Sequence, residues 1–174
     1  MKYAFIYGGI AGAIVVVILC AGLAFEMPIH ATSVWFGYLI MLTALSLIFV
    51  GVKRYRDFEC GGVIRFGRAF AVGLGIALVA ALVYVVGWEI FSAVWSRDFI
   101  AEYTAGIIEE LRAGGASQAV IEARTAEMNV LADNYRNPLF RIPMVFVEIF
   151  PVGLLVALVS AALLRNPRLL PAVR

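Results

Sequence analysis

Two glutamates interrupt long apolar stretches of the chain, and their positions are the ones most able to do chemistry. Glu89 and Glu148 each have apolar residues on both sides. A carboxyl at membrane depth costs several kcal/mol unless it finds a partner, so it is a candidate functional residue. Two such carboxyls facing each other without a cation would share a proton or bind a metal ion between them.

Three further residues could complete a polar site with these acids. His30 lies in a short connection, and Arg97 and Arg141 lie at the borders of apolar runs, within reach of a long flexible side chain. Three interpretations stay open. The glutamates pair with an arginine or a tyrosine and set the helix register, or they form a proton or cation site with His30, or one of them reaches headgroup water.

Several classes of enzyme are excluded by what the sequence lacks. The chain has one histidine, and it contains no zinc-protease, serine-hydrolase or nucleotide-binding motif. Histidine-rich metal chemistry and nucleophilic triads therefore have no residues to carry them. We expect no enzyme activity, no catalytic, cofactor-binding or metal-binding residue, and no cofactor.

The elements that must position these residues are four apolar runs. Each is about 19–27 residues long, enough to cross a hydrocarbon core of about 30 Å at 1.5 Å per residue. The chain has 174 residues, of which 63% are hydrophobic and 15% charged, so too little polar chain exists to bury four such helices. This predicts an all-α fold, a four-pass transmembrane bundle forming one membrane domain over 1–174, with spans at about 3–25, 34–52, 69–95 and 142–164.

Basic residues set the expected orientation. They cluster between the second and third runs, and the C-terminal tail has arginines but no acid. Because cytoplasmic flanks are enriched in Lys and Arg, both termini are predicted to be cytoplasmic. The expected partners are the lipid bilayer and, at the cytoplasmic loop, anionic headgroups. Topology explains these cations, so no nucleic-acid partner is expected. The loop residues concerned are Lys53, Arg54, Arg56, Arg65 and Arg68.

The segment 97–137 is the only water-facing part of any size. Apolar residues recur there at helical spacing on either side of Gly114–Ser117, which should end one helix and provide the N-cap of the next. The pattern predicts an extracytoplasmic helical hairpin between spans three and four. Asn137 and Pro138 then predict the capped start of another helix.

Spacing also predicts a close helix contact and a depth for each acid. Gly8 and Gly12 have the small-xxx-small spacing that lets helices approach closely, either within the chain or in a homo-oligomer. Counting 1.5 Å per residue from Phe70 and Leu164 puts Glu89 about 28 Å and Glu148 about 24 Å from the inner face. The two acids are therefore predicted at similar depth in the outer third. Trp88, near the outer end of its run, is expected to be an interfacial anchor.

Motifs along almost the whole chain resemble one family, and they include Lys53-Arg54-Tyr55-Arg56-Asp57, Gly87-Trp88-Glu89, Asn137-Pro138-Leu139-Phe140-Arg141 and Glu148-Ile149-Phe150-Pro151. The chain is similar to the bacterial domain-of-unknown-function 4199 family, and the resemblance implies a four-span protein of the bacterial inner membrane but transfers no catalytic residue. We therefore interpret the chain as an integral inner-membrane protein with a structural or interaction role. The alternative is a small proton- or ion-coupled transport component that uses the intramembrane glutamates. The most specific of these motifs are Lys53-Arg54-Tyr55-Arg56-Asp57 and Glu148-Ile149-Phe150-Pro151.

Overall fold

The computed structural model describes residues 1–24, 34–94 and 99–172, and the regular structure within them is entirely α-helical. This confirms the all-α prediction for the described part of the chain. The helices are α1 (Lys2–Ala24), α2 (Val34–Leu45), α3 (Leu47–Glu59), α4 (Phe66–Val94), α5 (Phe99–Ala113), α6 (Gln118–Tyr135) and α7 (Pro138–Leu164).

Four helical stretches in the described residues are long and apolar enough to cross a membrane, as the hydropathy pattern predicted. The second of them combines α2 and α3, which meet at Ser46. There the Ser46 hydroxyl donates to the Thr43 carbonyl at 2.6 Å, and Thr43 donates to the Leu39 carbonyl at 2.7 Å. Such bonds compete with the helical ladder and account for the local interruption. The stretches are Lys2–Leu23, Gly37–Glu59, Phe66–Val94 and Pro138–Leu164.

Helix α4 packs against both α1 and α7, and the contacts give the relative directions. Gly8 lies on Ile76 of α4 and Gly12 lies on Ala80, so α1 and α4 run parallel. A Cβ on either glycine would come within 2.6 Å of the carbonyl oxygen beneath it. The absence of a side chain at these two positions is therefore what allows the two backbones to approach.

The register between α4 and α7 follows from two further glycine contacts. Gly73 of α4 faces Ala157 of α7, and Gly153 of α7 faces Ala77 of α4. Moving four residues forward along α4 therefore moves four residues back along α7, as expected for antiparallel helices. Twelve residues further on, this register places residue 89 level with residue 141.

Helix boundaries differ from the sequence prediction mainly around the basic motif. Helix α3 continues to Glu59, and α4 begins at Phe66, so Lys53–Asp57 is helical and the connection covers only residues 60–65. Gly61 and Gly62, with φ of 61° and 88°, make the turn. Because polar residues can extend a span beyond the hydrocarbon core, hydropathy alone ended the second span too early.

The starts of α6 and α7 agree with the sequence prediction. Helix α7 begins at Pro138 as predicted, with the Asn137 side chain accepting from the Leu139 amide at 3.0 Å. Ser117 stands at the N-cap of α6 as predicted, although its side chain makes no capping hydrogen bond. Gly115, with φ of 74°, makes the turn between α5 and α6.

The segment predicted to face water consists of α5 and α6, which contact each other. Their shared interface is apolar and separate from the core of the spans, and α6 also contacts α7. The two helices are thus held together by a small core of their own. Its buried members are Ile100, Ile108, Ile121 and Met128.

Candidate functional site

Glu89 is held by an arginine. The Arg141 guanidinium donates from Nε to Glu89 Oε1 at 2.7 Å and from Nη2 to Oε2 at 2.6 Å, which is a bidentate ion pair. Arg141 Nη1 also donates to the Tyr135 carbonyl at 3.3 Å. This side chain therefore joins the last turns of α4, the first turn of α7 and the end of α6. We call Glu89, Arg141 and Tyr135 the clamp.

Trp88 and the ring of Tyr135 add two further contacts to the clamp. The Trp88 indole donates to the Tyr135 hydroxyl at 2.7 Å, and the Arg141 guanidinium lies 5.8 Å from the centre of the Tyr135 ring. Trp88 is only 5% exposed, so its ring packs inside the protein. Burial raises the pKa of Tyr135 to about 12, so its hydroxyl stays neutral at physiological pH.

Glu148 has different surroundings. Its described hydrogen bond comes from the Tyr84 hydroxyl, which donates to Oε2 at 3.3 Å. Among residues 1–24, 34–94 and 99–172, no ion pair joins Glu148 to a lysine or arginine. Tyr84 is buried, whereas Glu148 itself lies on the exposed side of α7. The same residue type thus occurs once with a cation and once without.

The two acids also differ in depth. Glu89 is level with Arg141, and Glu148 is seven residues further along α7, or about 10 Å deeper at 1.5 Å per residue. The prediction of similar depth was wrong because it took Phe70 and Leu164 as level. The register puts Leu164 level with Phe66, where α4 actually begins. The glutamates therefore have separate hydrogen-bond partners and do not form a pair.

The remaining predicted residues are placed as follows. His30 and Arg97 lie outside the described residues, so the structure does not show whether either joins the acids. Within the described chain, no three His, Cys, Asp or Glu side chains come close enough to hold a metal ion. Gly8 and Gly12 face α4, so this stripe is covered by a neighbouring helix of the same chain.

Arg56 is a buried residue that sequence reasoning missed. It is fully buried, donates from Nε to Asp57 Oδ1 at 2.8 Å, and donates from Nη1 to the Leu169 carbonyl at 2.9 Å and from Nη2 to the Leu170 carbonyl. The C-terminal tail thereby folds over the end of α3. A signal was present, because Ile48, Val52 and Arg56 recur every four residues and extend the buried stripe of α3.

The N-terminus meets the same end of the bundle, which we call the terminal end. Lys2 Nζ lies 3.2 Å from Glu59 Oε1, and the Tyr3 hydroxyl donates to the same oxygen at 3.0 Å. The start of α1, the end of α3 and the C-terminal tail therefore come together there. The clamp lies at the opposite end, beside the α5–α6 pair.

Comparison with known proteins gives a family and no further relative. Residues 2–166 match the family described as "Protein of unknown function (DUF4199)". No curated protein and no solved structure matches the chain. The match covers nearly the whole chain, including both glutamates and the basic helix end, and so the resemblance seen in the sequence motifs is confirmed: the chain belongs to the DUF4199 family of proteins of unknown function.

Proposed function

We propose that the protein is a non-enzymatic interaction protein of the bacterial inner membrane, in which the spans hold the α5–α6 pair in a fixed position outside the cytoplasm. The clamp is the observation that carries this proposal. Arg141 binds Glu89 of one span and the carbonyl of Tyr135 at the end of α6, which limits movement of the pair relative to the bundle. An arginine that completes such a pair favours a structural role for Glu89.

The basic residues support this orientation. Lys2 and the arginines that follow α3 and α7 lie at the terminal end, whereas the α5–α6 pair has mixed charges. A Lys and Arg excess beside short flanks favours the cytoplasm, where these side chains would contact anionic headgroups. Reporter domains fused after Arg174 and inserted at Gly115 should therefore report opposite compartments. Two reporters in the same compartment would contradict the orientation.

The surface of the α5–α6 pair supports the interaction role. Val130 is 62% exposed and Val120 is 50% exposed, although both lie in the segment predicted to face water. Isolated exposed valines are ordinary, so the proposal rests on their rigid support by the clamp rather than on area. The partner is a protein, and a second copy of this chain is one candidate, which would bind through a face other than Gly8 and Gly12.

Photo-crosslinking in living cells tests this role. A crosslinking amino acid at Val130 should give one discrete protein adduct, and Arg141→Gln should weaken that adduct because the pair is no longer held. Val17, which is 64% exposed on α1, is the control position and should give only lipid adducts. If Val130 also gives only lipid adducts or none, the interaction role is wrong.

A second candidate function is proton- or ion-coupled transport, and Glu148 is the observation that favours it. Its described partner is a neutral tyrosine, and no ion pair involves it in the described residues. An unneutralised acid inside a span is typical of proton pathways. Vesicles that contain the protein and a pH-sensitive dye should acidify faster than dye-loaded vesicles without protein if this function holds. Glu148→Gln should abolish the difference. Equal rates would exclude it.

A further inference from the structure

We infer that Glu148 is a proton-binding carboxyl that opens sideways to the lipid rather than to water inside the bundle. This inference deepens the proton-linked candidate by naming the residue and its route of access. It does not require transport, because a carboxyl can be open to lipid in a protein that moves no protons. Its test therefore measures access and leaves transport to the dye assay above.

One face of α7 is buried against its neighbours and another is exposed. The helix buries a stripe at Val145, Ile149, Gly153 and Ala157, which packs on its neighbours. Glu148 does not belong to that stripe. It belongs to the exposed stripe that recurs at three- and four-residue steps, whose other members are Met144, Pro151 and Leu155.

Glu148 lies far from both ends of α7. Glu148 is ten residues from Pro138 and sixteen from Leu164, so it lies about 15 Å and 24 Å from the two helix ends. Neither distance lets a glutamate side chain reach water beyond a hydrocarbon core about 30 Å thick. Glu89, five residues from Val94, is by contrast about 8 Å from its helix end. Glu148 is therefore exposed at a depth where lipid is the solvent.

The described groups that face Glu148 are neutral or already paired. From α4 it faces the Tyr84 hydroxyl, and along its own helix the nearest charged residue is Arg141, two turns away and engaged with Glu89. From α6 the nearest titratable group is the Tyr135 hydroxyl, which accepts from Trp88. No described cation is available to stabilise a carboxylate there. In lipid such a group is most stable as the neutral acid, with its carbonyl oxygen still accepting from Tyr84.

The backbone beside Glu148 also has a carbonyl that lacks its helical hydrogen bond. Pro151 has no amide hydrogen, so it cannot donate the helical bond that the Val147 carbonyl would otherwise accept. The stretch of α7 that includes Glu148 thus contains two polar groups, the carboxyl itself and a backbone carbonyl that lacks its helical hydrogen bond. A proton on Glu148 therefore enters a local region that is more polar than the surrounding span.

Carbodiimide labelling tests the inference directly. The proton of a carboxylic acid moves to a carbodiimide nitrogen, and the carboxyl oxygen adds to the central carbon. An acyl shift to nitrogen then leaves a stable N-acylurea with no leaving group. Dicyclohexylcarbodiimide partitions into lipid, whereas a charged, water-soluble carbodiimide does not. The two reagents therefore separate lipid access from water access.

The full chain in lipid vesicles should take up one dicyclohexylcarbodiimide, found on Glu148 by peptide mass spectrometry. Labelling should fall as the pH rises, and it should exceed labelling by the water-soluble reagent by about tenfold or more, since charged molecules are excluded from hydrocarbon. Glu148→Gln should abolish the adduct. Glu127→Gln, which changes an exposed acid of α6 away from the clamp, is the control and should leave it unchanged.

Three results would overturn the inference. Equal labelling by both reagents would mean that Glu148 opens to water. An adduct on another carboxyl, or none at all in a protein whose helicity is intact, would mean that Glu148 is not accessible as an acid. If Glu148 is labelled only after the protein is diluted in detergent, a second copy of the chain, rather than lipid, covers this face. None of these results depends on whether the vesicles transport protons.

Discussion

Glu89 lies near one end of α4 with both carboxylate oxygens on Arg141, whereas Glu148 lies about 10 Å deeper on α7 and accepts from the hydroxyl of Tyr84. In the sequence the two acids look alike, since each stands between apolar residues in a long run. In the structure, one is part of a clamp between three helices and the other is on an exposed stripe of α7.

The difference shows that an acid inside a span has no fixed meaning. What decides its role is the register of the helix opposite, which brings Arg141 level with Glu89 and leaves Glu148 opposite the tyrosine side of α4. A carboxylate with an arginine contributes to structure, because removing either partner leaves a charge without its counterion. An acid without one costs little to neutralise and can therefore exchange a proton.

Arg141→Gln should have the largest effect on stability. It leaves the Glu89 carboxylate without a cation, with side-chain exposures of 17% for Arg141 and 27% for Glu89. We expect a loss of about 2–4 kcal/mol, measured by thermal unfolding in detergent. Arg124→Gln, which breaks an exposed pair with Glu127, is the control and should cost less than about 0.5 kcal/mol. Equal losses would mean that the clamp is not a structural pair.

Glu89→Gln should have a smaller effect of the same kind. The amide oxygen can still accept one hydrogen bond, and Arg141 keeps the Tyr135 carbonyl, so we expect a loss of about 1–3 kcal/mol. Combining it with Arg141→Gln should cost less than the sum of the single losses, with a coupling of about 1–3 kcal/mol. Additive losses in this cycle would show that the two residues do not act on each other.

Tyr84→Phe should cost less again, because it removes one neutral hydrogen-bond donor and keeps the ring. We expect about 0.5–1.5 kcal/mol from the thermal unfolding midpoint. Tyr38→Phe is the control, since Tyr38 is 45% exposed and its loss of a hydroxyl should leave the midpoint unchanged. A loss as large as that of Arg141→Gln would indicate that Glu148 is ionised and depends on Tyr84.

Glu148→Gln should have the smallest effect, within about 0.5 kcal/mol of the unchanged protein. The amide oxygen still accepts from Tyr84, and no described cation loses a partner. The measurement is the same unfolding midpoint, compared with that of Glu89→Gln. If the two variants are equally destabilised, Glu148 has a cationic partner and the contrast between the two acids disappears.

Local sequence patterns predicted helix existence well and helix ends less well. Four apolar runs predicted four spans, and Asn137-Pro138 predicted the start of α7 to the residue, because an N-cap and a first-turn proline act over a few residues. The start of α4 was predicted three residues late, at 69 rather than Phe66, because Phe66-Gly67-Arg68 lowers the local hydropathy without ending the helix. Counting from Phe70 rather than from Phe66 therefore gave Glu89 too small a distance from the inner face, so the two acids appeared to be level.

The polar contacts were predicted only as alternatives. Arg141 was named as a partner for an acid, but nothing local distinguished Glu89 from Glu148, and a guanidinium can reach either over several ångströms. Arg56 was interpreted as one of several cytoplasmic cations, although its position on the buried stripe of α3 was readable from the spacing. Its partners, the carbonyls of Leu169 and Leu170, are more than a hundred residues away in the chain.

By itself the sequence determined that the chain has four helices long and apolar enough to cross a membrane and that it belongs to one family, since length, hydropathy and motifs do not depend on how the helices pack. Only the tertiary structure decided which acid is paired. Pairing depends on the level at which α4 and α7 meet, and that level is set by close contacts at Gly73 and Gly153. A shift of one turn would move α7 by about 5 Å, enough to take Arg141 away from Glu89.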